Sequence, residues 1–150
     1  MIKAHKLLAG CLGIGYAKGG GTLAAFVCCI GWYLVQADGR FNIIMIGVTA
    51  VVTLTGIWSA TMVEPHWGKD SSRIVIDEAA GMCISLLFVP VTVKYLVAGL
   101  LLFRFFDIVK PLYIRKAESL RGGWGVMMDD VLAGLYTNIL LQLIIYFKVL

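Results

Sequence analysis

Polar residues interrupt this chain rarely and in clumps, and the lengths of apolar sequence between them predict its elements. The stretch TLAAFVCCIGWYLVQA at 22–37 and the run at 42–63 are each apolar enough to enter a bilayer, with DGR at 38–40 as a tight turn between them. Together they predict a membrane hairpin. The region 79–103 is long enough for one span, but VPVTVK interrupts it with Pro90, which lacks a backbone donor, and with the charge of Lys94. Two shorter helices, about 76–89 and 92–109, joined by a turn at Pro90, are therefore expected. A last helix is expected from about Met127 to about Phe147. The predicted fold is all-α, a polytopic membrane bundle of about four to five membrane helices with a helical hairpin turning at Pro90. Residues 1–150 would form a single integral membrane domain. Helices of about 14 to 18 residues are short for a hydrocarbon core of roughly 30 Å, so tilt or incomplete spanning is expected of some.

Composition agrees. Of the 150 residues 60% are hydrophobic and 15% charged, and the mean hydropathy of +0.89 lies far from that of an ordinary soluble domain. The N-terminus carries Lys3 and Lys6 before a short apolar stretch without a small-residue cleavage site, so no removable signal peptide is expected. Cys11, Cys28, Cys29 and Cys83 show no metal-ligand spacing and sit in apolar context, where a thiol behaves as a small hydrophobe. Internal repeats and the aromatic-basic pattern of a nucleic-acid module are both lacking, so no nucleic-acid partner is expected.

Charge placement turns on Pro90. A single span across 79–103 would put Asp77–Glu78 and Asp107 on opposite membrane faces, whereas a hairpin puts them on one face with Asp129–Asp130. Under the hairpin, ten of the 13 Lys and Arg residues share that face, leaving Arg40, Lys94 and Lys148 opposite. The positive-inside rule then makes the crowded face cytoplasmic.

Three segments on that face carry candidate chemistry. In RIVIDEAAGM (73–82), Asp77 and Glu78 open a helix; dipole capping explains one carboxylate there better than two. In FRFFDIVKPLYIRK (103–116), Arg104, Asp107 and Lys110 recur at steps of three and occupy one helical arc of roughly 120°, facing a common site. A self-neutralising Arg104–Asp107 pair with a snorkelling lysine is the bland reading. Pro111 biases Lys110 out of helical geometry. In GGWGVMMDDVLAG (122–134), three glycines allow close backbone approach and Asp129–Asp130 follow at the helix start. Neighbouring helical residues point about 100° apart, so one aspartate ligates while the other supports. Clustered ionisable groups at membrane depth point to function. Oxygen donors without His or Cys suit Mg²⁺, and adjacent cations suit a phosphate. A weaker signal is GYAKGGGTLAAF (15–26), where Lys18 and a glycine run precede a helix N-terminus able to receive phosphate; a flexible loop explains it equally well.

With these motifs in order, the sequence resembles the phosphatidylglycerophosphatase A family of small membrane phosphatases. The resemblance rests on IVIDEAAGM (74–82), FRFFDIVKP (103–111) and GGWGVMMDDVLAG (122–134). The chain departs at AKGGGTL (17–23), where the family often has Pro-Gly-Thr followed by Gly-Ser-Leu, and of this it keeps Gly21, the Thr22 hydroxyl and Leu23. The resemblance implies a Mg²⁺-dependent enzyme that removes the terminal phosphate of phosphatidylglycerophosphate to give phosphatidylglycerol. It also implies a multi-pass protein of the bacterial inner membrane, with its site facing the cytoplasm and a phospholipid substrate in the bilayer. It carries over Asp77, Glu78, Arg104, Asp107, Lys110, Asp129 and Asp130.

The expected roles are these. Asp77, Glu78, Asp129 and Asp130 supply the metal site, and Asp107 either ligates or orients Arg104. Arg104 and Lys110, with Arg73 and Lys18, bind the substrate phosphate. Metal-assisted attack of water is favoured over a histidine phosphoenzyme, since the chain has only His5 and His66. The rivals are an ion-coupled transporter built on clustered carboxylates, a CDP-alcohol phosphotransferase-like enzyme whose longer aspartate-rich motif is missing, and a non-catalytic subunit.

Overall fold

The computed structural model describes residues 1–35, 41–111 and 113–150, with only the backbone of Phe41 and Asn42. The predicted DGR turn lies outside the described residues. Helix α1 (Ile2–Ala9) leads through a 3₁₀ segment at Cys11–Tyr16 to α2 (Gly20–Val35), α3 (Phe41–Trp67), α4 (Ile76–Leu86), α5 (Val93–Val109), the short α6 (Ile114–Ala117) and α7 (Gly123–Tyr146). All regular structure among the described residues is helical. Two segments, Ile43–Trp67 and Gly123–Tyr146, are long and apolar enough to cross a membrane. The expectation of four to five membrane helices exceeds that: α2 has 16 residues and α5 has 17, about 24 and 26 Å of helix against a core of roughly 30 Å.

The break at Pro90 is where the sequence puts it, and the structure gives its support. A helix that stops leaves its last carbonyls without partners. The Asn138 side-chain amide on α7 donates to the carbonyls of Ile84, Ser85 and Leu87 at 3.2, 3.0 and 2.7 Å. One turn on, Gln142 donates to Leu87 and Phe88. Carbonyls left over where a helix stops need partners from neighbouring protein when water is kept out, and these two amides supply them for α4. The turn then feeds α5, whose N-cap Thr92 accepts from the Tyr95 N–H.

Helix α7 begins at Gly123, four residues before the expected Met127, so Asp129 and Asp130 sit about two turns inside it and not at its start. The cause lies in the glycines. A Cβ on Gly123 would fall 2.1 Å from the Ile57 carbonyl of α3, and one on Gly125 would fall 2.5 Å from the Leu120 carbonyl. These residues serve close packing inside the helix, and only Gly122 (φ 62°), just before it, takes the left-handed backbone.

Helix α4 is the centre of the bundle. It meets α7 through facing glycines: a Cβ on Gly134 would lie 2.4 Å from the Gly81 carbonyl, and one on Gly81 would lie 2.6 Å from the Asp130 carbonyl. On one side of α4, Met82 and Leu86 pack with Phe103 and Trp32; on the other, Ile76 and Ala80 pack with Val63 and Met127. The outer faces are apolar too, with Ile30 and Leu34 on α2, Val51 and Leu54 on α3, Leu101 and Ile108 on α5, and Ile139 and Leu143 on α7 all exposed. Apolar surface this extensive marks contact with lipid or another protein.

Candidate metal and phosphate site

Asp77 and Glu78 occupy the first turn of α4, where the helix dipole favours negative charge. The close Gly81–Gly134 packing brings Asp130 of α7 against them, and ligand oxygens of Asp77, Glu78 and Asp130 lie within 4.8 Å of one another. Asp77 is 8% exposed and Asp130 3%. Each of the three carboxylates keeps one buried oxygen without a protein hydrogen-bond partner: Asp77 Oδ1, Glu78 Oε2 and Asp130 Oδ1. Asp107 of α5 is a fourth like charge facing Asp130. Arg104 Nη1 bonds Asp107 and lies 3.7 Å from Glu78 Oε1. One guanidinium cannot balance four carboxylates, and buried unpaired charge is costly. A divalent cation fits both the charge excess and the unsatisfied hard oxygens.

Asp129 points elsewhere. Its Oδ2 accepts from Lys110 Nζ at 2.7 Å, and its Oδ1 accepts the Asp130 N–H at 3.0 Å. Lys110 caps α5 in a left-handed conformation (φ 48°) and also donates to Glu118 at 2.8 Å. Burial pulls the Lys110 ammonium toward deprotonation, but its hydrogen bonds to Asp129 and Glu118 outweigh that and hold its pKa above the usual lysine range.

Beside the acidic group, a cavity of about 630 Å³ is lined by Lys18, the glycines at 19–21, Ser72, Arg73 and Glu78. The first turn of α2 is pressed onto this site: a Cβ on Gly21 would sit 1.8 Å from Glu78 Oε1. The loop before it is held by the chain entering α4, since Gly15 packs on the Arg73 carbonyl and the Val75 N–H donates to Ala9 at 2.9 Å. The cavity therefore joins two cations and a helix N-terminus, which suit an anion, to one carboxylate of the acidic group.

A sequence model described as Phosphatidylglycerophosphatase A matches residues 7–145. The chain belongs to this family. A Bacteroides thetaiotaomicron protein provisionally named a phosphatidylinositol-3-phosphatase is 43% identical over 141 residues, 87% of this chain and 89% of its own. The phosphatidylglycerophosphatase A of Haemophilus influenzae is 40% identical over 101 residues, covering 65% of this chain and 62% of its own, and that of Escherichia coli is 29% identical over 134 residues, covering 82% and 75%. No solved structure matches. Membership makes the chain a phosphatase and takes support from the transporter reading.

For this phosphatidylglycerophosphatase A family member, the structure divides the residues singled out from sequence into three groups. Asp77, Glu78 and Asp130 converge, with Asp107 and Arg104 beside them. Asp129, expected among the metal ligands, is instead bound to Lys110. Lys110, expected on the arc of Arg104 and Asp107, turns away because α5 ends at Val109. Lys18 and Arg73 line the cavity. Sequence reasoning passed over Glu118 as a partner of Lys110, and Asn138 and Gln142 as supports of the α4 end. The last two carried a usable signal, being amides four residues apart on one face of the apolar second half of α7. His5 serves packing, edge-on to Trp58 and near the Ser59 hydroxyl.

Proposed function

We propose that the enzyme hydrolyses the terminal phosphomonoester of phosphatidylglycerophosphate to phosphatidylglycerol and phosphate, with Mg²⁺ as its metal. The observation that carries this reading is the convergence of Asp77, Glu78 and Asp130, each with a buried oxygen lacking a protein partner, in a chain of this family. These three would hold the ion, which supplies Lewis acidity toward a phosphoryl oxygen. Lys18, Arg73 and the first-turn N–H groups of α2 receive the phosphate in the cavity. Arg104, oriented by Asp107, offsets charge that develops on the phosphoryl oxygens. Water adds to phosphorus, the ester P–O bond breaks, and the lipid alcohol leaves. Asp129 and Lys110 position Asp130 from behind.

In this reading residues 1–150 form one membrane domain of the bacterial inner membrane. Helices α2, α3, α5 and α7 lie in the bilayer and α4 reaches part-way. The exposed apolar faces of those four helices support it. The site faces the cytoplasm, as the positive-inside count favours. The name of the Bacteroides relative favours a second reading, a phosphomonoester on an inositol lipid. The test measures phosphate release by the purified chain from phosphatidylglycerophosphate and from phosphatidylinositol 3-phosphate, with Mg²⁺ and with a chelator. Metal-dependent release from the first, lost in Asp77→Asn and Asp130→Asn, is expected. Preference for the second selects the other substrate, and release that survives both variants removes the metal site.

A further inference from the structure

We propose that a trough between α2 and α5 seats an acyl chain of the lipid substrate and delivers its phosphate end to Glu78. The inference rests on the lipid-phosphatase reading and assigns its hydrophobic subsite. Phe26, Ile30 and Tyr33 of α2 face Val93, Val97 and Leu100 of α5 across a hollow of about 240 Å³. Each set follows i, i+4, i+7 spacing and so forms one stripe of its helix. The buried Cys29 and Leu96 make the floor. Seven residues of helix give the trough a length of about 10 Å. An acyl chain covers half of a core of roughly 30 Å, so the trough lodges about two thirds of one.

Direction decides the occupant. Helix α2 runs away from the carboxylates and α5 runs toward them. Moving down the trough, Phe26 is followed by Gly21, which abuts Glu78, and Leu100 by Arg104, which lies 3.7 Å from the same carboxylate. Those last steps are four and five residues, about 6 to 8 Å of helix, the scale of a lipid's glycerol region. The trough and the cationic cavity of Lys18 and Arg73 thus lie in line along α2, the cavity ending at Gly21 and the trough beginning at Phe26. An apolar slot in line with an anion-receiving cavity matches one amphipathic molecule, a lipid bearing a terminal phosphate. A second apolar hollow, between α5 and α7, is lined by Phe106, Tyr136, Ile139, Leu140 and Leu143 and shares no helix with the cavity of Lys18 and Arg73, which the trough does through α2.

The test uses the full chain in detergent micelles and two substrates with the same phosphorylated headgroup, one with long acyl chains and one with four-carbon chains. Ile30→Trp and Val97→Trp fill the trough. Each is expected to raise KM for the long-chain lipid roughly tenfold, the range of a hydrophobic pocket contact, with kcat and short-chain kcat/KM within about twofold of the parent. Equal losses on both substrates, or no loss on either, overturn the proposal. Leu100→Ala widens the trough without bulk and is expected to shift preference toward longer chains; an unchanged profile overturns it. A long-chain lipid phosphomonoester carrying a photoreactive acyl group supplies a readout without turnover. Adducts at Ile30 and Val97 are expected, whereas adducts mainly at Ile139 and Leu143, or spread evenly to Leu54, overturn the assignment. If the parent releases no phosphate from any lipid while adducts still form in the trough, the catalytic reading fails and the binding site stands.

Discussion

Lys110 and Asp129 form a 2.7 Å ion pair that joins the end of α5 to the second turn of α7. The Asp129 side chain is 7% exposed, whereas Glu118, the other partner of Lys110, is 35% exposed. Breaking a buried pair strands a charge, and an exposed pair contributes little. Lys110→Met should therefore destabilise the protein by about 3 kcal/mol, and Glu118→Gln by less than about 1 kcal/mol. Thermal unfolding in detergent measures both, and equal shifts would contradict the unequal burial argued here. Lys110→Met should also slow phosphate release roughly 10–100-fold, as loss of a group behind a metal ligand does. The lysine is protonated across the pH range of such assays, because its carboxylate partners raise its pKa. Stability from a raised lysine is present below its unfolded pKa and is lost only as pH rises through the folded one. The Lys110 contribution should then be flat from about pH 6 to 9.

Gly21 leaves no room for a side chain beside Glu78, while Gly31 in the same helix has nothing within 4 Å of its missing Cβ. Gly21→Ala should displace the Glu78 carboxylate and abolish most activity. Gly31→Ala should leave activity intact and gain up to about 1 kcal/mol from helix propensity. Phosphate release and melting temperature of the pair give the comparison, and an active Gly21→Ala enzyme would show that the first turn of α2 does not bear on the site.

Asn138 holds three carbonyls at the end of α4. Asn138→Leu keeps the number and branching of the side-chain heavy atoms and removes the donors, leaving part-buried acceptors unsatisfied at about 1–3 kcal/mol. The loss should appear in unfolding and in faster amide exchange over 84–88. A variant as stable as the parent, with unchanged exchange there, would mean that the α4 end finds other partners.

The Cys28 and Cys83 sulfurs of α2 and α4 lie 3.4 Å apart. Treatment with a two-electron thiol oxidant should link them, each thiol losing a proton and the electron pair passing to the oxidant. Peptide mapping should find the Cys28–Cys83 bridge in preference to any involving Cys29, and a different pairing would refute the helix neighbours described.

What the sequence made legible was local. Pro90 marked its own turn, Lys110 before Pro111 marked the end of α5, and adjacent acidic residues in helices announced a charged site. Which carboxylates meet was not local. Asp129 and Asp130 are indistinguishable in sequence, and their different neighbours, Lys110 for the first and Asp77 and Glu78 for the second, come from the close seating of α7 on α4 at the Gly81–Gly134 contact. The start of α7 was misplaced for the same reason: Gly123 and Gly125 read as loop until α3 and Leu120 stand against them. Hydropathy registers apolar length without regard to where a helix stops, so the expectation of four to five membrane helices goes beyond the two segments whose length and composition suffice for a crossing.

That unfinished helix has a mechanical corollary. With its tail fastened to Asn138 and Gln142 and its middle seated on Gly134, α4 is pinned to α7 at two heights. Asp77, Glu78 and Asp130 therefore stand on two helices that are fastened to each other. The glycine-rich turn that carries Lys18 belongs instead to the start of α2 and meets this pair through Gly21 against Glu78, so the Lys18 wall of the cavity is the part of the proposed site that stands outside the clamp.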